Sequence, residues 1–193
     1  MADYDVCKDL INETIDIFDT PRFFHLGMDE ETYDHQRHFL YTVVRQYDLW
    51  WQDLYFLVEQ VEKRGVRAWV WSDKLWREEE FLKKMPKTVI QSNWYYGDFK
   101  RVDNEITKRQ IEAYIKLEEN GYKQIPTGSI YEEVWDNFPL TVEFCRKHIS
   151  DENLLGFLQT AWVPTMERYE KEHFKAIESL KKGKEIFIKK EEG

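Results

Sequence analysis

Cysteine is nearly absent: Cys7 and Cys145 are the only two in 193 residues. With no metal-type spacing around them, they exclude a disulfide framework, and two free, buried thiols are expected. Long apolar runs are missing too. No stretch approaches ~18 consecutive apolar residues, so no membrane partner is expected. The N-terminus lacks the basic start and apolar centre of a signal peptide. Positive charge is in deficit, with 28 Lys and Arg against 37 Asp and Glu and a net charge of -9. A phosphate backbone recruits clustered Lys and Arg, so nucleic acid is excluded as a partner. The basic tail at Lys181, Lys182, Lys184, Lys189 and Lys190 is interrupted by glutamates and reads as a solvated helix end.

Aromatic residues, by contrast, are abundant: eight Trp, eleven Tyr and twelve Phe make up 16% of the chain. Such side chains fill cores. They also suit a carbohydrate site, where apolar sugar faces stack on rings while polar tips take hydroxyls. With 42% hydrophobic and 34% charged residues, the composition is that of a folded globular chain. The length suits a single domain over residues 1–193.

Hydrophobic periodicity alternates between helix and strand. Residues 4–18 place Val6, Leu10, Ile11, Ile15 and Phe18 at helical spacing, and Pro21 then breaks the pattern. "RFFHLG" (22–27) reads as a short strand, and residues 31–64 as one long helix stopped by Gly65. "RAWVWSD" (67–73) is a second strand, followed by a short helix in "KLWREEEFLKKM". "KTVIQSNW" (87–94) is a third strand, and 103–120 a helix ending at Asn120-Gly121. "KQIPTGS" (123–129) is a weaker fourth strand because of Pro126. A helix at 138–148, a fifth strand in "NLLGFLQTAW" (153–162) and a helix at 165–182 complete the chain. About five alternations predict an α/β fold with parallel strands and helical crossovers. An open doubly wound sheet and part of a (β/α)₈ barrel both satisfy the pattern. A closed barrel needs eight strands and ~200 residues or more.

In either architecture ligands gather at the carboxyl ends of the strands. Asp29 and Glu30 stand at such an end, as do Trp71 with Asp73, Trp94 with Tyr95 and Tyr96, and Trp162. If these ends converge they form an acidic cup with aromatic walls. Asp29, Glu30 and Glu31 could alternatively serve as a helix N-terminus, where carboxylates gain ~0.3–1 kcal/mol each. Successive strand residues point to opposite faces, so Asp29 and Glu30 share a pocket only if the chain turns between them; Gly27 permits such a turn. His25, Asp29, Glu30, His35 and His38 lie close in sequence, but a metalloprotease-type H-E-x-x-H spacing is absent and no metal or cofactor is expected.

The segment "RFFHLGMDEE" resembles the H-x-G-G-D-E motif of glycoside hydrolase family 20, the β-N-acetylhexosaminidases, at the end of barrel strand four. "AWVWSD" looks like strand five, "VIQSNW" like strand six and "LLGFLQTAW" like strand eight. The resemblance implies a partial (β/α)₈ barrel whose five strands are equivalent to strands 4–8, as the C-terminal portion of a catalytic barrel. It also implies a substrate-assisted retaining mechanism, which stands outside the two-carboxylate scheme of most glycosidases. Glu30 would protonate the glycosidic oxygen and then activate water. Asp29 would hold the substrate's 2-acetamido N–H while the acetamido oxygen attacks the anomeric carbon. Trp71, Trp94 and Trp162 would wall the pocket, His25 would support the acids by hydrogen bonding, and Tyr131 would follow strand seven.

Three departures stand out. Met28 replaces the motif's second glycine, Glu133 stands where the family places an Asp, and Trp162-Val163-Pro164 lacks the usual Trp-x-Glu. Strands one to three have no counterpart, so the chain is expected to belong to a longer protein. The implied partner is an amino-sugar substrate. A non-catalytic carbohydrate-binding or scaffold remnant of such a barrel is the main rival reading; an open α/β sheet whose acids only cap a helix is another. Open barrel edges would favour pairing with a second copy, so light scattering of the chain at high concentration should show a dimer rather than a monomer.

Overall fold

The structure is a computed structural model that describes residues 2–41, 45, 47–78, 80–130, 134 and 136–189. Its elements run α1 (Ala2–Ile17), β1 (Phe23–His25), α2 (Tyr33–Gln36), α3 (Asp48–Glu62), β2 (Arg67–Trp71), α4 (Phe81–Lys84), β3 (Ile90–Ser92), α5 (Glu105–Glu119), β4 (Thr127–Ser129), α6 (Asn137–His148), β5 (Leu158–Thr160) and α7 (Glu170–Lys189), with 3₁₀ turns at Asp73–Trp76 and Glu167–Tyr169. The fold is therefore α/β, as the alternation predicts. The strands form a three-stranded sheet in the order β1-β2-β3 and a two-stranded sheet β4-β5; the β1/β2 and β4/β5 pairings are parallel. The chain clusters into two compact units, residues 1–90 and 91–193.

In the first unit the core is built by α1, α3 and β2. Ile11 and Ile15 of α1 are buried, as are Trp50, Trp51, Leu54, Val58 and Val61 along one face of α3. Beneath them lie Ala68 and Val70, the alternate residues of β2. That period of two leaves Arg67, Trp69 and Trp71 on the other face. Val6, Leu10 and Phe18, the remaining apolar residues of the α1 pattern, are exposed.

The predicted helix over 31–64 does not form as one piece. Thr32 caps the single turn of α2, its hydroxyl accepting from the His35 N–H, and the next helix of the described residues starts at Asp48. Leu40, an apolar residue at helical spacing in that stretch, is 89% exposed, and Val43 and Val44 lie outside the described residues. The expected helix over 74–85 likewise divides into a 3₁₀ turn and α4.

In the second unit the strand-to-strand linkage is partly reduced to single parallel bridges, Gln91 with Gln124, Trp94 with Thr127 and Gln124 with Leu154. Pro126 has no N–H to donate on its β5 side, which interrupts that ladder between the Gln124–Leu154 bridge and the Thr127–Leu158 pairing. Between β3 and β4 the linkage is carried by the Gln91–Gln124 and Trp94–Thr127 bridges, and there the structure departs from one continuous run of five strands.

The helices of this unit are well specified locally. Asn104 caps α5, its side-chain oxygen accepting the Thr107 N–H at 2.9 Å. Thr107, Ile111, Tyr114 and Leu117 then form its buried stripe, and Gly121 closes it with a φ of 70°. Tyr95, Ile111, Tyr114, Cys145 and Ile149 form a buried cluster with Phe99, Phe144, Leu154 and Phe157 against it. Cys145 is buried and its thiol is pushed well up by that burial, whereas Cys7 is only partly buried.

Phe138, at the start of α6, is wedged between two glycines. A Cβ on Gly128 of β4 would lie 2.8 Å from the Phe138 Cα, and one on Gly183 of α7 would lie 2.5 Å from the Phe138 ring. Both glycines are therefore required by close approach. Gly128→Ala should destabilise the protein by about 1–3 kcal/mol, because backbone must move. Gly183→Ala should fail to show the ~1 kcal/mol gain normally expected from removing a mid-helix glycine. Denaturant unfolding of the two variants measures both effects.

Candidate active site

The first unit brings four of the expected site residues to one sheet end. His25 is the last residue of β1, in register with Trp69 of β2. Its ring centroid lies 4.6 Å from those of both Trp69 and Trp71, as residues on one face of a parallel pair should. The Gly27 N–H donates to His25 Nδ1 at 3.0 Å, so in the neutral ring the proton sits on Nε2. That atom is buried and has no hydrogen-bond partner among the described residues. Burial pushes the ring's proton affinity down to a pKa of about 4, and His25 is uncharged at neutral pH.

The ladder continues one step past β1, the Trp71 N–H donating to the Gly27 carbonyl at 3.0 Å. The chain then turns sharply: Gly27, Met28 and Glu30 have φ values of 76°, 70° and 53°. Two of these are non-glycine residues in the left-handed region, which is disfavoured by ~1–2 kcal/mol per residue. The turn separates Asp29 and Glu30 from a simple alternating strand. Asp29 is half-buried, and its carboxyl is raised first by burial and further by the charge of Glu30.

Glu30 differs from the expectation that both acids look inward. Its side chain is 52% exposed, with Oε1 at 3.6 Å from His35 Nε2.

Beside the turn lies a residue to which the sequence motif gives no role. Asp73 is 3% exposed. Its Oδ2 accepts the Glu30 backbone N–H at 3.1 Å, Arg77 approaches to 4.0 Å, and Oδ1 is buried without a hydrogen-bond partner among the described residues. Burial, reinforced by the charge of Asp29, raises its carboxyl to a pKa of about 6. An adjoining cleft of about 250 Å³ is lined by Met28, Glu31, Trp50, Asp73, Lys74 and Arg77, among others. Its basic groups are occupied: Lys74 pairs with Glu78 at 2.6 Å and lies 4.3 Å from the Trp50 ring centre. Among the described residues no three His, Cys, Asp or Glu side chains come together as a metal cluster, and no helix is long and apolar enough to cross a membrane.

Trp94 and Trp162 belong to the second unit. Trp162 is 52% exposed and adopts a φ of 49°, and its Nε1–H donates to the Tyr96 hydroxyl at 2.9 Å. The segment bearing Trp94 and Tyr96 is held by buried Asn137. That side chain donates to the carbonyls of Tyr95 and Gly97 at 2.9 and 3.0 Å and accepts the Ser129 N–H at 3.0 Å. Asn137 carries no sequence signal that would distinguish it from an ordinary helix start. Tyr131 lies outside the described residues.

The raised Asp73 carboxyl makes a pH prediction. Its folded-state value of about 6 exceeds the ~3.9 of an unfolded aspartate. The native chain therefore holds more protons between those values, and this group's contribution to stability falls as pH rises from about 4 to about 6. Asp73→Asn removes that dependence. In urea unfolding, the variant should gain on the wild type by about 2–3 kcal/mol between pH 4 and pH 7. An unchanged difference would mean that the carboxyl titrates normally.

No protein-family model matches the chain, and no curated protein matches it in sequence. Solved structures do. The chain is similar to the crystal structure of the glycoside hydrolase family 20 exo-β-N-acetylglucosaminidase from Vibrio harveyi in complex with N-acetylglucosamine, with a TM-score of 0.58 at 15% identity over 93% of its length. An inactive mutant of the same enzyme gives a TM-score of 0.58 at 14% identity, again over 93% of the chain. The chain spans 30% of the length of each. That likeness concerns the fold: this chain is folded like a stretch of a glycoside hydrolase family 20 enzyme.

Proposed function

We propose that the protein is a glycoside hydrolase of the family-20 kind, removing terminal β-linked N-acetylhexosamines by a substrate-assisted retaining mechanism. In this reading β1 to β5 stand for strands four to eight of a (β/α)₈ barrel. The observation that supports it is the left-handed turn that follows β1 and carries Asp29 and Glu30 past a strand's carboxyl end, in a fold shared with family-20 structures.

Each residue has a physical part. Burial disfavours the charged form of Asp29, so an N–H donor reaching its carboxylate would gain a charge-assisted bond; the 2-acetamido N–H is such a donor. The acetamido oxygen then attacks the anomeric carbon, and the enzyme supplies no nucleophile. Glu30, exposed at the rim, can meet a glycosidic oxygen, give it a proton, and afterwards take one from water. Trp71, ordered against His25, offers a ring to the acetamido methyl. Taken by itself, the second unit carries aromatic rings in Trp94 and in Trp162, the latter bonded to Tyr96, of the kind that suits the apolar side of a pyranose.

Binding without catalysis is the second reading, favoured by the pairing of Glu30 with His35. A chromogenic N-acetyl-β-glucosaminide, assayed on the full-length protein, separates the two. Hydrolysis should be present and should fall about 10²–10⁴-fold in Glu30→Gln. Retention of N-acetylglucosamine binding with no turnover in the wild type would establish the second reading instead.

A further inference from the structure

Asp73 is an expensive residue to keep. A carboxylate removed from water is unfavourable unless its oxygens are hydrogen-bonded. This one is 3% exposed, yet one of its two oxygens has no hydrogen-bond partner among the described residues. The other is committed to a backbone N–H 43 residues away, that of Glu30. Glu30 is also one of the two non-glycine residues in the turn held at positive φ. Packing alone does not call for this arrangement, because an apolar residue of similar size would fill the volume without desolvating a charge.

We propose that Asp73 is a positioning residue for Glu30, fixing the direction of the Glu30 carboxyl through its backbone. The inference rests on the hydrolase reading above and extends it to a residue in which substrate contact is not required. The geometry is specific. The Glu30 N–H lies in the plane of the Asp29–Glu30 peptide, and the Asp73 carboxylate accepts it at 3.1 Å. That bond anchors the peptide plane from which Glu30 departs at a φ of 53°. Without it the plane is free to turn, and the Cα and side chain it carries turn with it. Arg77, at 4.0 Å, provides a partial counter-charge, and Asp29 opposes it.

Two variants and two readouts test this. Asp73→Ala removes the acceptor; Asp73→Asn keeps an oxygen that can take the same N–H. With the chromogenic substrate, Asp73→Ala should lower kcat about 100-fold while KM changes less than about threefold, the pattern of a displaced acid rather than of lost binding. Asp73→Asn should recover most of that loss, to within about tenfold of the wild type. Amide hydrogen exchange gives the second readout: the Glu30 N–H should exchange at least about tenfold faster in Asp73→Ala and remain protected in Asp73→Asn. Unchanged exchange in a folded Asp73→Ala would overturn the positioning role and leave the hydrolase reading standing. So would an active wild type matched by Asp73→Ala, or an equal loss in both variants. A wild type with no turnover but a protected Glu30 amide would instead remove the hydrolase reading, and with it the catalytic meaning of the brace.

Discussion

The site depends on how β2 clamps the end of β1. A parallel ladder carries one strand beside the other as far as Gly27, whose carbonyl accepts the Trp71 N–H at 3.0 Å. Two residues further along the second strand's path, Asp73 takes the Glu30 N–H at 3.1 Å. One rung is backbone and the other is side chain, and the turn lies between them. Its two non-glycine left-handed residues, Met28 and Glu30, together oppose folding by roughly 2–4 kcal/mol. A neutral hydrogen bond and one to a carboxylate together return about 2–4.5 kcal/mol. The strained turn is thus sustained by bonds drawn from the neighbouring strand and the 3₁₀ turn after it rather than by its own residues.

The same logic decides which parts of the fold were legible in the sequence. Elements whose signals are local read correctly: α5 has its Asn104 cap, its buried stripe and Gly121 in a short span. Gly27 with its following acids marked a turn at a strand end for the same reason. The stretch after Thr32 failed because Leu40 and Tyr47 match helical spacing although both are exposed, and no glycine or proline marks the break. Periodicity records spacing and not burial, so exposed apolar residues can imitate a core face. Asp73 was visible as an acid at a strand end, but its bond to Glu30 crosses 43 residues and leaves no local trace. Asn137, with its three bonds to Ser129, Tyr95 and Gly97, was illegible on the same ground.

Aromatic residues divide between enclosed and partly exposed positions. Trp50, Trp51 and Tyr114 are core. Trp71 and Trp162 are not fully enclosed, and each is steadied by another aromatic or polar ring, Trp71 by His25 and Trp162 by the Tyr96 hydroxyl. A large exposed indole on a free rotamer would lose side-chain entropy on binding a ligand. A ring already fixed by a hydrogen bond has lost part of that freedom on folding. Trp162 is such a ring, part-exposed and held by its bond to Tyr96.

Fold likeness at 15% identity requires that something other than particular side chains be kept, and Met28 indicates what. The resembling motif carries glycine there, a residue indifferent to the sign of φ. Met28 lacks that freedom and still sits at a φ of 70°. A local preference has been overruled by the surroundings, which is what two fixed points on either side of a short turn accomplish. Once Gly27 is held by Trp71 of β2 and Glu30 by Asp73 in the 3₁₀ turn that follows, the intervening backbone has few paths between them, and residue 28 takes the conformation that closes the path. No glycine is needed at residue 28 because the clamp, and not the residue, specifies the turn.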